Sequence, residues 1–307
     1  MGICRETLAK CAPLKSAYRT FHSGAMRSLC RVSPKLQGRL RYWAAWRRWP
    51  DFENPTTFDE KLLWLNLYWR NPLKTECADK YTLRAYVERQ GLGYLLPRVY
   101  GVYETVEAID FEALPERFVL KCTHGCKCNV FCWKKTDLDL AVARRDLARW
   151  VALDFSRVLG ELHYAGMKSR IICEEFLEDG TGLLPTDYKV FCFNGRPCWI
   201  LCYTRRVPND KGHRTVLDLE WNPVIGYLEE EGGHRPPRPS SLPEFLSASE
   251  RLSAPFPFVR MDFYCIAGRA VLGEMTFTPN ACINKTYTDY CQRDMGRRLE
   301  LPQPWIE

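Results

Sequence analysis

Three stretches of the chain carry the pattern of a helix. The clearest runs from residue 57 to 69, where apolar side chains recur every three or four positions. Thr57, with Glu60 three residues later, is typical of a capping box, in which each side chain bonds the other residue's backbone N–H. Two further helices are expected over residues 79–88 and 137–155. The helix predicted over residues 57–69 should begin just after Thr57.

Short apolar runs predict strands between and after these helices. They cover residues 118–121, 130–133, 171–173, 187–193 and 196–203. Asn194-Gly195 separates the last two runs, and Asn-Gly between two strands is a strong signal for a hairpin. The Pro- and Gly-rich stretch 232–243 predicts a surface loop.

Residues 258–278 predict an acidic hairpin. If Ala267-Gly268-Arg269 forms a three-residue loop, Ile266 lies opposite Ala270 and Asp262 lies opposite Glu274. Side-chain alternation then gives a polar face and an apolar face. The polar face carries Arg260, Asp262, Tyr264, Glu274, Thr276 and Thr278, and the apolar face carries Val259, Met261, Phe263, Cys265, Val271, Met275 and Phe277.

The opposed acids of this hairpin need compensation. Side chains directly across a pair of strands lie about 5 Å apart at Cβ, where two carboxylates repel. Carboxylate oxygens are also the ligands that Mg²⁺ uses when it bridges to phosphates. Asp262 and Glu274 therefore form a candidate Mg²⁺ site, and the alternative is a polar sheet face with nothing bound.

Phosphate-binding candidates occur elsewhere in the chain. Lys121 ends one strand, Lys189 follows Asp187 in another, and the loop 124–129 could fold over phosphates. The segment 174–177 can offer backbone groups to a base and an acid to a ribose. Walker A and Rossmann glycine patterns are absent from the sequence.

Composition predicts a soluble cytoplasmic protein. The 307 residues include no apolar run near the roughly 20 residues needed to cross a bilayer, and the N-terminus lacks the pattern of a secretory signal. Fifteen cysteines are scattered along the chain, as reduced thiols would be. The spacing of Cys122, Cys126, Cys128 and Cys132 differs from that of zinc ribbons, and small semi-buried side chains are the favoured interpretation over zinc.

The positive charge is concentrated at the N-terminus. Residues 1–50 contain eleven Lys or Arg against the single acid Glu6, a net charge of +10 that leaves −3 for the remainder. Arginines 39, 41, 47 and 48 are interleaved with Tyr and Trp. This segment is either a solvated helical extension or a surface for a membrane or an acidic polysaccharide. No recognisable nucleic-acid module accompanies it.

Several motifs stand in a characteristic order. They are Asn54-Pro55-Thr56-Thr57-Phe58-Asp59-Glu60-Lys61, Ala78-Asp79-Lys80-Tyr81 with Arg84, Phe118-Val119-Leu120-Lys121 with His124-Gly125 and Asn129, Glu174-Glu175-Phe176-Leu177, Asp187-Tyr188-Lys189-Val190-Phe191, Val259-Arg260-Met261-Asp262-Phe263-Tyr264 and Gly273-Glu274-Met275-Thr276-Phe277. This order, over residues 54–279, resembles the ATP-grasp superfamily. It resembles closely the TupA-like branch linked to teichuronopeptide and surface-polysaccharide biosynthesis.

The resemblance implies an α+β fold in which two subdomains grip ATP between antiparallel sheets. It also implies the ligands of the nucleotide. Lys80, Lys121 and Lys189 would contact the phosphates under the loop of His124 and Gly125. The backbone of Glu175 and Leu177, within the hinge Glu174-Glu175-Phe176-Leu177, would hold adenine, and Asp187 or a hinge acid would reach the ribose.

The metal and the catalytic groups follow from the same resemblance. Asp262 and Glu274 would bind Mg²⁺, and Arg260 and Lys189 would act on the γ-phosphate or the acyl-phosphate. The chain departs from the branch at Cys126-Lys127, where Ser-Gly is usual, and at 280–282, where glycines are usual. Thr276 stands where the superfamily has a second-metal Asn, so Asn280 is the candidate substitute.

The expected domain plan has four parts. Residues 1–50 form a basic helical extension, 51–110 a helical region, 111–177 a nucleotide-binding lid and 178–307 the subdomain with the Mg²⁺ hairpin. The expected enzyme is an ATP-dependent carboxylate–amine ligase for surface polysaccharide or teichuronopeptide-type biosynthesis. Its expected partners are an acid and an amine, with an acidic polysaccharide or its precursor as the candidate carrier.

Three rival functions stay open at this point. A glycosyltransferase would use a D-x-D metal motif, which Asp137-Leu138-Asp139 matches formally, although acids are ordinary at a helix N-terminus. An ATP-grasp phosphotransferase would use the same phosphate ligands and no amine. A non-catalytic polyanion-binding protein could retain the fold with an altered phosphate loop.

Overall fold

The computed structural model describes residues 24–180, 182–207, 212–230 and 235–305. Residues 1–23 of the basic segment 1–50, and residues 232–234 of the predicted loop, lie outside these ranges. The helices are α1 Pro34–Trp46, α2 Phe58–Tyr68, α3 Pro72–Ala78, α4 Thr82–Arg89, α5 Leu140–Val151, α6 Phe155–Val158, α7 Leu242–Ser253 and α8 Asp289–Arg298. The strands are β1 Val99–Tyr103, β2 Phe118–Cys122, β3 Asn129–Cys132, β4 Ile171–Glu175, β5 Asp187–Phe193, β6 Arg196–Thr204, β7 His213–Leu217, β8 Phe258–Ile266 and β9 Arg269–Thr276.

The strands form two antiparallel sheets, and the α+β prediction is confirmed. The first sheet has the order β1-β4-β2-β3 and the second the order β7-β6-β5-β8-β9. In the first sheet one face packs Phe118, Leu120 and Ile171 around Leu147 of α5. Because side chains alternate along a strand, Lys121 and Glu174 project from the other face.

The second sheet is covered on both faces at one end only. On one face Phe245 of α7 stacks on Phe263, with ring centroids 4.8 Å apart. On the other face Phe191 stacks on Trp199 at 3.8 Å, and Tyr287 packs edge-on against Phe191. Further along this second face the strands carry charged residues, so the sheet passes from a core into a polar cleft.

Helix α2 begins as predicted. Thr57 is its N-cap, and the capping box with Glu60 is formed in both directions. Its first residue, Phe58, is fully buried and packs edge-on against Phe258 of the second sheet. The cap therefore fixes where the helix begins, and Phe58 fixes the helix to the sheet.

Both predicted hairpins form, but the acidic one has a shorter turn than expected. Asn194 and Gly195 have positive φ between β5 and β6. In the acidic hairpin Ile266 pairs with Arg269, so the turn is the two residues Ala267-Gly268, both with positive φ as in a type I′ turn. The prediction of a three-residue loop was therefore wrong.

The predicted pairing of Asp262 with Glu274 is nevertheless confirmed. A bulge at Gly273 adds one residue to β9 and restores the register beyond it. A Cβ on residue 273 would lie 2.8 Å from the Tyr264 ring, which is why a glycine fits here. Between the bulge and the turn Leu272, not Val271, is paired with Phe263 on the apolar face.

Other element boundaries differ from the predictions for local reasons. The helix expected over 79–88 begins at Thr82, because the Asp79 carboxylate accepts the N–H groups of Tyr81 and Thr82. The helix expected over 137–155 is shorter, because α5 begins at Leu140 and ends at Val151, and the separate helix α6 begins only at Phe155. The predicted loop 232–243 ends earlier, since α7 begins at Leu242 with Pro243 in its first turn.

Gly296 in α8 generates a test of the packing against α2. An added Cβ would lie 2.0 Å from the Thr56 carbonyl oxygen. Gly296→Ala should therefore lower the free energy of unfolding by about 1–3 kcal/mol, measured by urea unfolding. Gly24→Ala, where nothing lies within 4 Å of the new Cβ, should be neutral or slightly stabilising. Equal effects of the two variants would contradict this packing.

Candidate active site

The paired acids of the β8–β9 hairpin differ in their surroundings. Asp262 is buried, with 3% of its side chain exposed, whereas 35% of the Glu274 side chain is exposed. Glu274 lies 3.7 Å from both the Lys80 ammonium and the Arg260 guanidinium. The pair therefore opens toward solvent on the Glu274 side.

Two cations neutralise Asp262. Arg260 donates from Nε and Nη2 to the two carboxylate oxygens, both at 2.6 Å, and Lys189 donates at 2.5 Å. Burial by itself would raise the pKa of Asp262, but the pairs with Arg260 and Lys189 lower it to about 2. Asp262 is thus ionised at any ordinary pH.

Asp187 lies beside the same lysine. Its Oδ2 is 2.7 Å from Lys189 and 3.4 Å from Arg206. Its Oδ1 is buried and has no hydrogen-bond partner among the described residues. A buried acceptor without a donor is costly, so the cleft retains an unfilled place for a donor such as a ribose hydroxyl.

The first sheet contributes a second ion pair. Lys121 donates to Glu174 at 2.6 Å, and Glu174 is only 3% exposed. Lys80 connects this sheet with the acidic hairpin, because its ammonium donates to the Gly125 carbonyl at 3.0 Å and also faces Glu274. The three predicted lysines therefore each lie against a carboxylate or a loop predicted to belong to the site.

The loop after β2 packs against the segment around α6. The ring Nε2 of His124 lies 3.1 Å from the Leu153 carbonyl oxygen, and burial lowers the pKa of His124. Gly125 has φ +69 and a Cβ there would meet Phe155 at 2.5 Å. Lys127, at the position where the branch usually has Gly, has φ +60. A lysine in this left-handed region is strained.

The hinge residues have distinct environments. The N–H of Glu175 donates to the Arg98 carbonyl within the sheet, and its carboxylate pairs with Arg269 at 3.4 Å. Phe176 lies edge-on to Trp133 at 4.4 Å, with the Arg117 guanidinium 4.7 Å from its ring centroid. Leu177 lies beyond the end of β4. Of the two predicted adenine contacts, Leu177 is therefore the one whose N–H lies outside the strand.

The segment after β9 adopts an unusual backbone. Asn280, Ala281 and Cys282 all have positive φ, at 50, 51 and 65 degrees. The glycines that the branch usually has here would adopt this conformation without strain. The Asn280 amide donates to Asn284, which is bonded to the buried Asp59. The candidate metal ligand Asn280 is thus tied to a structural network, and its metal role stays a prediction.

Two alternative motifs have structural explanations. Cys122 and Cys128 pack against Phe155 in a small core, while Cys126 is exposed. Asp139 of the D-x-D match is the N-cap of α5 and accepts the N–H of Val142 at 2.9 Å. Among the described residues no group of three His, Cys, Asp or Glu converges on a metal position.

The donors fit Mg²⁺ shared with phosphates. Two opposed carboxylates are what the ion takes from a protein when phosphate and water supply its other ligands. Here the ammonium and guanidinium groups of Lys80, Lys189 and Arg260 occupy the space next to those carboxylates. Phosphate oxygens would attract the same cations.

Some residues of the cleft were missed in the sequence. Arg206 pairs with Asp187 and also bonds Tyr264. The β5–β6 register pairs Asp187 with Tyr203, so counting outward from the Asn-Gly turn would have placed Arg206 near Asp187. Arg269, which reaches Glu175 across the two sheets, gave no comparable signal.

The fold is that of an ATP-grasp protein. The family model described as TupA-like ATP-grasp matches residues 60–299, and the chain belongs to that family. The family assignment places it among the ATP-grasp enzymes, and the comparison with curated protein sequences found no match.

Several solved structures of low sequence identity are similar to this chain. An L-amino acid ligase from Bacillus licheniformis is 14% identical with a TM-score of 0.47, over 76% of this chain and 53% of that one. D-cycloserine synthetase DcsG is 18% identical with a TM-score of 0.43, over 75% and 72%. A D-alanine–D-alanine ligase from Bacillus anthracis, in complex with ATP, is 12% identical with a TM-score of 0.41, over 66% and 53%. The chain spans about half the length of the first and third of these proteins.

The ion pairs of Asp262 predict a change in acid stability. Since its folded pKa is below the ordinary 3.8, its contribution is present above about pH 4 and is lost as the pH falls toward 2. Asp262→Asn should lower the free energy of unfolding at pH 7 by about 3–5 kcal/mol, because buried cations lose their partner.

Urea unfolding at a series of pH values measures this effect. The variant should lose less stability than the wild-type protein between pH 4 and 2. Asp137→Asn, at an exposed acid, is the control and should leave the profile unchanged. A wild-type profile in Asp262→Asn would mean that these ion pairs do not form.

Lys127 allows backbone strain to be separated from charge. Lys127→Gly should raise the free energy of unfolding by about 0.5–1 kcal/mol, because glycine adopts φ +60 readily. Lys127→Ala removes the same charge but keeps the strain, and it should give no such gain. Urea unfolding of the two variants decides the matter, and equal stabilities would argue against strain at this position.

Proposed function

We propose that the protein is an ATP-dependent carboxylate–amine ligase that works through an acyl-phosphate. The observation that carries the proposal is the pair Asp262 and Glu274, which lie opposite each other in a cleft with Lys189, Arg260 and Lys80. Opposed carboxylates among cations suit a polyphosphate with a divalent ion, whereas they would repel each other without such partners.

The residues of the cleft divide the binding of ATP among them. Lys121 and Lys189 would neutralise phosphate oxygens, and Lys80 would hold the loop at Gly125 over them. Asp187 Oδ1, which has no hydrogen-bond partner among the described residues, would accept a hydrogen bond from a ribose hydroxyl. Asp262 and Glu274 would hold Mg²⁺, which when bound neutralises charge on the phosphates.

The proposed chemistry needs no protein nucleophile. An oxygen of the substrate carboxylate attacks the γ-phosphorus, the bond to the β-phosphate oxygen breaks, and ADP leaves. An amine then attacks the acyl carbon, inorganic phosphate leaves, and the nitrogen gives up a proton as the amide forms. Arg260 lies on the polar face beside Glu274, where its guanidinium would stabilise charge on the transferred phosphoryl group.

We infer that the acid or its carrier is a polyanion of the surface-polysaccharide type. Helix α1 and the residues just after it support this. The exposed rings of Trp43 and Trp49 stack at 6.0 Å, and the Arg39 and Arg47 guanidinium groups lie within 5.5 Å of them. Aromatic rings flanked by cations suit sugar rings that carry carboxylates. No helix among the described residues is long and apolar enough to cross a membrane. The place of action proposed for the enzyme is the cytoplasm.

Turnover tests the proposed function. Purified protein with ATP and Mg²⁺ should release ADP and phosphate only when both an acid and an amine are supplied. Glu274→Gln should lower this rate by about 100-fold or more, because the site loses a charge that acts on the phosphates. Coupled ADP release and mass analysis of the amide are the measurements.

The control is Glu230→Gln on the surface, where the side chain is 88% exposed; this variant should keep the wild-type rate. Full activity of Asp262→Asn, or inactivity of the wild-type protein on broad acid and amine panels, would contradict the proposal. A stable phospho-product without an amide would indicate phosphotransfer instead, and turnover of a sugar nucleotide without ATP would indicate glycosyl transfer.

A further inference from the structure

A buried lysine lies outside the cleft described above. Lys74 in α3 is only 3% exposed. It lines a small pocket of about 40 Å³, whose other lining residues include Arg70 and His163. Water needs about 10–15 Å³ by this measure, so the pocket has room for a group of a few heavy atoms. We call it the Lys74 pocket.

Lys74 makes no direct polar contact through its ammonium group. In the described part of the chain no hydrogen bond or ion pair joins it to another residue, although the charge of buried Glu161 acts on it. Nδ1 of His163, in the wall of the same pocket, is buried without a hydrogen-bond partner among the described residues. A buried polar group is costly unless it is paired. An ammonium without a direct contact and an unsatisfied imidazole nitrogen at one small pocket indicate that the pocket is built for a ligand.

The electrostatics of the pocket favour an anion. Burial lowers the pKa of Lys74 to about 8, and the nearby charge of Glu161 opposes this fall only in part. Burial also lowers the pKa of His163 well below its ordinary value, so the imidazole is neutral and can donate one N–H. Arg70 adds a second cation to the lining. An oxyanion would supply the acceptor atoms that these donors lack.

The pocket adjoins the proposed active site next to the residues that follow β9. The His163 ring packs edge-on against Phe277, 6.2 Å away, which follows the last residue of β9. Glu161 accepts a hydrogen bond of 2.6 Å from Thr278 and interacts electrostatically with both Lys74 and Glu274. The pocket thus lies just past the end of the strand that carries the catalytic carboxylate.

We propose that the Lys74 pocket binds a small oxyanion, with the Lys74 ammonium and the His163 imidazole as its donors. The chemical class is a carboxylate or a phosphate. Its role rests on the proposed function, since it would hold either a second carboxylate of a substrate or the inorganic phosphate that the reaction releases. Lys74 is then a binding residue that the sequence motifs did not include.

Thermal unfolding of the full chain tests this pocket. Sodium acetate and sodium phosphate are titrated against sodium chloride at matched ionic strength. At saturation at least one oxyanion should raise the Tm of the wild-type protein by about 2–4 °C over chloride. Lys74→Met should lose this saturable shift, because its apolar side chain has no donor for an oxyanion.

Lys74→Gln is a second variant in case methionine prevents folding, and it should also lose the shift. Lys121→Met is the matched control, since it removes a lysine of the nucleotide cleft and should keep the oxyanion shift. Absence of a saturable shift in Tm in the wild-type protein, or retention of that shift in both Lys74 variants, would contradict oxyanion binding in the Lys74 pocket. Acetate as the active ion would indicate a substrate carboxylate, and phosphate alone would indicate the released product.

Mg²⁺ with ADP separates this proposal from the proposed function. It should stabilise the wild-type protein and the Lys74 variants alike, and it should not stabilise Lys121→Met. Stabilisation by an oxyanion through Lys74, without stabilisation by Mg²⁺ with ADP, would contradict the proposed ligase and support oxyanion binding in the Lys74 pocket. Stabilisation by Mg²⁺ with ADP, without stabilisation by an oxyanion, would contradict oxyanion binding and support the ligase.

Discussion

Repulsion between two opposed carboxylates is the constraint on which the site depends. Asp262 and Glu274 face each other across β8 and β9, and this arrangement is stable only with positive charge beside it. The structure supplies that charge from separate segments: Arg260 from the same strand, Lys189 from β5, and Lys80 from the turn before α4. Lys80 also holds the loop at Gly125. The cations that neutralise the two acids therefore connect the second sheet with the loop of the first sheet, and both sheets border one cleft.

The same cations explain how the cleft can exchange partners. These cations are bonded to protein carboxylates, most of all to Asp262. In the proposed function, a nucleotide with a divalent ion would offer phosphate oxygens to the cations and a metal to the carboxylates. That exchange would replace charge-assisted bonds with others of the same kind, so it would cost little electrostatic energy. Lys74 differs, because no hydrogen bond or ion pair joins it to a carboxylate in the described part of the chain.

Several non-glycine residues hold left-handed backbone next to this cleft. Lys127 lies in the loop after β2, and Asn280, Ala281 and Cys282 form a continuous left-handed run after β9. Such strain persists only where surrounding contacts impose it. Arg41 donates to the Ala281 carbonyl at 3.0 Å, and the Asp59 network holds Asn284. Helix α1, part of the basic extension, thus helps to shape the end of the proposed active site.

Local patterns in the sequence determined the elements with short-range causes. The capping box at Thr57, the Asn194-Gly195 hairpin and the pairing of Asp262 with Glu274 depend on residues close in the chain, and each is confirmed. The pairing was right although the turn is one residue shorter, because the bulge at Gly273 compensates. Partners from distant segments, such as Arg206 with Asp187, were decided by the tertiary structure. So was the burial of Lys74, because burial and long-range charge pairing depend on how separate elements pack, which no local pattern records.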